Sequence, residues 1–219
     1  MALVVVFGAS GRLGRRVSVE AADRGHHVIG VVHREAIPLF GQGVETVEGD
    51  VTDLATVRRV SQSADVLVVT VGGPDKSLYL DAARTLVAVA QEMAERAPRI
   101  IHSGGGGSLL DPNGSRFVDT HGFPEAVRPE VRGQAVALDC YRTTSGADWV
   151  YMSPPPGNFE PGDRTGTTES ERITQSSTCR AGSGSPTRTT PLRLSTRSTI
   201  PAITTNASPS DTDHPTETP

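Results

Sequence analysis

Leu3-Val4-Val5-Val6-Phe7, followed by Gly8-Ala9-Ser10-Gly11-Arg12-Leu13-Gly14, is the stretch on which the reading of the fold turns. A short apolar run without polar alternation suits a strand covered on both faces. The glycines behind it are spaced G-x-x-G-x-x-G. Gly8 permits a tight turn off the strand. Gly11 lets the backbone approach a pyrophosphate. Gly14 lets the next helix pack close to the sheet, with its N-terminus facing the negative charge. Residues 15–24 read as that helix, and Gly25 is placed to end it. The expectation is a dinucleotide-binding turn formed by Gly8, Ala9, Ser10, Gly11, Arg12, Leu13 and Gly14.

Working outward, apolar runs at residues 28–32, 44–48, 65–71, 99–103 and 149–152 read as further strands. Helical patterns cover 80–96 and 130–142, and a helix to about Gln62 is capped by Thr52 or Asp53. Strands alternating with helices at this spacing mean βαβ units with right-handed crossovers. The expected fold class is α/β, a Rossmann-type doubly wound parallel sheet.

Composition limits the alternatives. The chain has 219 residues, with 36% hydrophobic and 4% aromatic, beside 23 Gly and 16 Pro. Lys plus Arg is 21 and Asp plus Glu is 25, a formal charge of −4, which gives no polyanion-seeking surface and argues against nucleic acid as a partner. Cys140 and Cys179 cannot make a disulfide framework. No apolar run approaches the ~20 residues of a membrane span. The apolar N-terminus lacks a basic leader and a small-residue cleavage site and reads as a buried strand. The expectation is a cytoplasmic protein, with no membrane association and no set oligomeric state.

Two positions bear on which dinucleotide is bound. NAD-preferring sites usually carry an acid at the end of the second strand. Here that strand ends Val31-Val32-His33-Arg34, and a positive charge suits a 2′-phosphate, with Arg12 on the same side. Glu35 is an acidic alternative in another register, and Arg34 can equally be a solvated strand end. The reading favours NADP(H) over NAD(H). Gly49-Asp50-Val51 ends the third strand, where Asp50 either bonds the adenine amino group or is a turn residue.

Other chemistry is missing. A Tyr with a Lys four residues on, the usual acid of short-chain dehydrogenases, is absent: Ala83, Ser145 and Pro155 follow Tyr79, Tyr141 and Tyr151, and Lys76 is the chain's one lysine. There is no cysteine cluster for zinc and no G-x-S-x-G elbow. No metal is expected. His26-His27 reads as an exposed turn. His102 and Ser103 end the fifth strand on the ligand-binding edge, where they touch a nicotinamide or substrate unless His102 is structural. No catalytic residue is assigned.

The glycine turn, Gly49-Asp50-Val51-Thr52-Asp53, Gly72-Gly73, Phe117-Val118-Asp119-Thr120 with Phe123-Pro124, and Ser153-Pro154-Pro155 with Phe159-Glu160-Pro161-Gly162 resemble the atypical short-chain dehydrogenase relatives known as NAD(P)H-binding proteins. These include YwnB-like and biliverdin reductase B/flavin reductase-like members. The resemblance covers residues 1 to about 166. It implies NAD(P)H along residues 8–14, the loops after the fourth to sixth strands around the nicotinamide, and Asp119, Thr120, Phe123 and Phe159 on the substrate side. Together with the strand-end readings, the expected cofactor residues beyond the turn are Arg34, Asp50, Val51, Gly72, Ser103 and Ser153, with His102 on the substrate side. Many members lack the Tyr-Lys pair. Some reduce flavins or quinones, and others bind nucleotide as sensors. The implied activity is a reductase of a small planar acceptor, with a non-catalytic redox sensor as the alternative.

The tail departs from this pattern. Residues 166–219 hold no Phe, Tyr or Trp, only five residues from Leu, Ile, Val and Met, and 29 Ser, Thr or Pro among 54 positions. Such a segment cannot bury enough apolar surface to offset its ordering entropy. The expected division is therefore a Rossmann domain at 1–165 and a disordered tail at 166–219, with the family's last helix and strand lost. In another reading frame, codons of residues 185–212 permit a helix-like segment, a strand-like Phe-Thr-Val-Gly-Tyr and then a stop. A frameshift near the codons of Gly166 to Thr168 is the expected origin; a genuine Ser/Thr/Pro-rich linker is the alternative.

Overall fold

The computed structural model describes residues 1–33, 43–73, 75–120 and 123–154. Ten main elements follow in order: β1 (Leu3–Phe7), α1 (Arg12–Asp23), β2 (His27–Val32), β3 (Val44–Glu48), α2 (Leu54–Ser61), β4 (Val66–Val69), α3 (Leu78–Met93), β5 (Arg99–Ser103), α4 (Arg128–Thr143) and β6 (Trp149–Met152). Among the described residues the strands form one parallel sheet, ordered β3-β2-β1-β4-β5-β6. This is the doubly wound Rossmann arrangement. The strand order reverses between β1 and β4, so their carboxyl ends flank the crevice where such sheets bind ligands.

Successive side chains of β1 enter two cores because both faces of the sheet are covered. Val5 and Phe7 join Val57, Leu67, Val69, Leu86 and Tyr141, under α2, α3 and α4. Val4 and Val6 join Val28, Val32 and Val68, against Val17 and Ala21 of α1.

The strands at Leu3–Phe7, Val44–Glu48, Arg99–Ser103 and Trp149–Met152 have the bounds read from the sequence. Elsewhere local bonds move the ends. Helix α1 starts at Arg12, directly out of the glycine turn, because Arg15 N already donates to Gly11 O at 2.9 Å. The expected 65–71 strand shortens to Val66–Val69, where the Thr70 hydroxyl turns back to Phe7 O at 2.8 Å. Helix α3 begins at Leu78 and gives way at Ala94, at φ +51°, to a 3₁₀ turn over Ala94–Arg96. Asp53 caps α2, accepting from Ala55 N and Thr56 N. Arg34, Phe159 and residues 166–219, with the expected loss of the last helix and strand, lie outside the described residues.

Candidate functional site: the crevice between β1 and β4

Gly8 stands at φ +75°, and a Cβ there would lie 2.9 Å from Thr70 O, so only glycine makes this turn without strain. Gly11 N closes the turn by donating to Gly8 O at 3.0 Å. Gly14 packs with its α-carbon over Gly8 O, and a Cβ would also meet Thr70 Oγ1 at 2.7 Å. Gly8 and Gly14 therefore each have a steric or backbone reason, whereas Gly11, at φ −71°, is required by neither. Ala9 is buried, whereas Ser10, Gly11 and Arg12 face solvent. Helix α1 has no side-chain N-cap and no acid in its first turn. Its first backbone N–H groups, beside Arg12, make an electropositive end suited to a phosphate. The close Gly14–Gly8 approach and the exposed Ser10, Gly11 and Arg12 fit a dinucleotide pyrophosphate.

Thr70 was not singled out by the sequence reading. Its hydroxyl donates to Phe7 O at 2.8 Å and lies 3.4 Å from Gly8 O, buttressing the turn from the neighbouring strand. A threonine ending an apolar strand was the available signal.

On the adenosine side, β2 ends at Val32 and leaves His33 exposed. Asp50 Oδ1 accepts from Thr52 N and Thr52 Oγ1, both at 2.8 Å, and Oδ2 faces His33 Nε2 at 3.1 Å. Burial pulls this carboxyl up, but the Thr52 bonds and His33 outweigh it and hold it below its usual value. Asp50 is thus a turn residue with an ionised, partly exposed oxygen. The Val51 side chain is buried in the core, leaving its backbone for a ligand.

At the carboxyl ends of β4 to β6, Gly72 is exposed and Ser103 half-buried. Ser153 Oγ lies 2.8 Å from Ser108 Oγ, which also reaches Gly105 O at 2.9 Å. His102 is drawn inward. It is 1% exposed, with Nδ1 3.0 Å from Tyr141 Oη and its ring stacked on Tyr151 at 5.1 Å. Burial lowers its pKa to about 4, so it is neutral at pH 7. Of the two roles open to it in the sequence, the structure gives the structural one: β5 turns His102 into the core and not toward an open edge. The glycines at 104, 105 and 107 are covered by Tyr151, Gln134 and Val131.

The substrate-side candidates lie around the segment leading into α4. Asp119 pairs with Arg132 at 3.3 Å, and the Thr120 hydroxyl donates to Phe117 O at 2.7 Å. The Arg128 guanidinium lies 5.5 Å from the Phe123 ring centroid and donates to Val118 O and Phe123 O. These bonds hold Asp119, Thr120 and Phe123 together before α4.

None of the tyrosines is an acid near neutrality. Burial pushes Tyr79 up to about 12, helped by Glu130, which accepts from its hydroxyl at 2.9 Å. Burial also raises Tyr141 and Tyr151. Among the described residues no group of three His, Cys, Asp or Glu could hold a metal ion, and no helix is long and apolar enough to cross a membrane.

Comparison with known proteins agrees with this geometry. Residues 8–182 match the model of a protein family described as NAD(P)H-binding. The uncharacterized protein YwnB of Bacillus subtilis is 30% identical over 164 residues, which are 74% of this chain and 75% of that protein. A solved "putative epimerase" from Bacteroides thetaiotaomicron is similar with a TM-score of 0.67 and 28% identity, over 76% of each chain. A "putative NADH-flavin reductase" from Streptococcus pneumoniae is similar with a TM-score of 0.62 and 25% identity, over 73% of this chain and 77% of that one. A Rossmann sheet with a glycine turn at its switch point, a family match over residues 8–182 and the likeness to YwnB place the chain in the NAD(P)H-binding family of atypical short-chain dehydrogenase relatives.

Proposed function

We propose that the chain is an NADPH-dependent reductase of a small planar acceptor of flavin or quinone type. The observation that carries the cofactor half is the junction of Gly8, Gly14 and Thr70, which opens an uncapped, acid-free helix end toward the crevice. Residues 8–14 would hold the pyrophosphate, and Gly72, Ser103 and Ser153 would lie toward the nicotinamide. A reduced nicotinamide supplies a hydride there, so the protein's part is binding and orientation. The similarity to a protein named as an NADH-flavin reductase supports the acceptor class. The preference for NADPH rests on Arg12 and on the sequence His33-Arg34 after the second strand, which carries no acid before Glu35. The acceptor would sit beside His102 and Ser103 or along Asp119, Thr120, Phe123 and Phe159; of these, His102 offers only its buried packing.

NADPH and NADH oxidation, measured across flavins, quinones and small carbonyls, tests the proposal. Turnover with a flavin or quinone and a lower KM for NADPH is the expected result. No turnover with any acceptor would reject the enzyme. The missing Tyr-Lys pair then favours the second reading, a nucleotide-binding redox sensor, which NADPH binding without oxidation would support. A cytoplasmic location goes with either reading.

We further propose that the Rossmann domain ends at residue 165 and that a frameshift is the origin of the tail. The family match runs past that point to residue 182, so sequencing the coding DNA across the codons of Glu160 to Thr174 decides the matter. A missing base supports the shift; an intact frame makes the tail genuine.

A further inference from the structure

We infer that Glu130 is a positioning residue for the bound cofactor, because it ties the first turn of α4 to Gly72 and Gly73, at the crevice end of β4, through Tyr79 and Lys76. The inference rests on the nicotinamide-dinucleotide reading above and adds to it a side chain outside the glycine turn.

The geometry converges from two segments. Tyr79 is in the first turn of α3 and is fully buried, so its hydroxyl needs a partner. It takes Glu130 Oε1 at 2.9 Å. The same hydroxyl lies 3.6 Å from where a Cβ on Gly72 would stand. Lys76 Nζ donates to Gly73 O at 3.1 Å and lies 3.9 Å from Glu130 Oε2. One carboxylate therefore answers a buried hydroxyl with one oxygen and an ammonium with the other. Three residues on, Gly133 lets α4 settle onto this segment: a Cβ there would meet Lys76 O at 2.9 Å and the Tyr79 ring at 3.0 Å. Asp75, the nearest other acid in sequence, is occupied locally by Ser77 N.

Gly72 and Gly73 follow β4, and β4 pairs with β1. By the switch-point rule their backbone would line the crevice opposite the glycine turn. With no side chains of their own, these glycines take their position from what grips them: Tyr79 lies against Gly72 and Lys76 bonds Gly73 O. Glu130 fixes both. Lys76, the chain's one lysine, thereby acquires a role other than the absent Tyr-Lys chemistry.

The test uses the full chain and NADPH as the probe, with fluorescence titration for Kd, melting without cofactor, and steady-state KM and kcat. Glu130→Ala is expected to weaken NADPH binding about tenfold, the usual scale for losing a charge-assisted hydrogen bond. Glu130→Gln keeps an acceptor for Tyr79 but loses the charge facing Lys76, and should weaken binding about threefold. The loss should appear in KM for NADPH and not in kcat. Lys76→Met should match Glu130→Gln, and the double variant should be no worse than either single one. Wild-type binding with unchanged Kd in Glu130→Ala overturns the inference while leaving the cofactor reading intact. So does a Kd loss in both Glu130 variants that only tracks a fall in cofactor-free melting temperature. Wild-type protein that binds no NADPH overturns both. If Glu130→Ala does not fold, Glu130→Gln and Lys76→Met carry the test.

Discussion

Two glycine-rich segments leave the sheet at the carboxyl ends of β1 and β5, with β4 between them, and they use glycine for opposite purposes. In residues 8–14 the glycines shape backbone. Gly8 takes a positive φ, Gly14 brings α1 against Gly8 O, and Ser10, Gly11 and Arg12 remain open to solvent. In residues 104–107 the glycines make room for the chain's own side chains: Tyr151 over Gly104, Gln134 over Gly105 and Val131 over Gly107. The first segment leaves space for a ligand, and the second is already filled. Glycine spacing alone does not separate a cradle from a packing surface. The element that follows does: α1 starts within the first segment, so its N–H groups face the opening, whereas α4 begins at Arg128 and returns to lie over the second.

The sharpest break in the comparison is Gly14→Val. The added carbons would run into Gly8 O and Thr70 Oγ1, neither of which can yield without moving β1 or β4. We expect NADPH binding to be lost and stability to fall by about 3 kcal/mol, the upper range for overpacking. Denaturant unfolding and an NADPH titration check this; binding within twofold of wild type would mean that the turn is not the cofactor's seat.

Almost as large is the pH response of the filled side. Burial lowers the folded pKa of His102 to about 4, against the ordinary histidine value of 6.5. Between those values the unfolded chain binds the proton and the native chain does not, so stability falls as pH drops from about 6.5 toward 4. The full shift corresponds to about 3 kcal/mol. His102→Gln should flatten this part of the melting-temperature profile between pH 7.5 and 4.5. A slope unchanged from wild type would show that other groups carry it.

A matched pair of alanines contrasts the two segments directly. Gly105→Ala pushes against Gln134 Oε1 and should cost about 1–2 kcal/mol of stability with a smaller effect on NADPH. Gly11→Ala sits at φ −71° with its Cβ 3.2 Å from Gly8 O and open to solvent, so the fold should tolerate it while cofactor affinity falls about fivefold. Parallel thermal melts and titrations read both effects. The same ranking in both assays would erase the distinction between cradle and packing surface.

Much of this was legible in the chain itself, for physical reasons. A parallel sheet buried on both faces must be written as apolar runs, so four strands could be bounded to the residue. The glycine turn was legible because its strand, spacing and helix are contiguous. What was hidden depends on contacts distant in sequence. Thr70 reaches Phe7 across 63 residues, and Tyr79 meets Glu130 across 51. His102 looked available because it ends a strand on the ligand edge, and only the fold shows Tyr141 and Tyr151 closing over it. The sequence leaves Asp50 open between adenine partner and turn residue because an Asp two residues before a Thr serves either.

Thr70 gives the smallest expected effect and the finest resolution. Thr70→Val keeps the volume and the β-branch but removes the bond to Phe7 O, leaving that carbonyl with Thr70's backbone N–H at 3.0 Å. The loss should be about 1 kcal/mol in stability, the net value of one such bond. Because the same hydroxyl lies 3.4 Å from Gly8 O, the glycine turn should also loosen, weakening NADPH about threefold. Thr70→Ser restores the donor without the methyl group and should recover binding more fully than stability. If valine costs stability but leaves NADPH affinity unchanged, Thr70 only joins two strands. If serine rescues binding, the hydroxyl sets the cradle, and the open segment depends on β4 as much as on its own glycines.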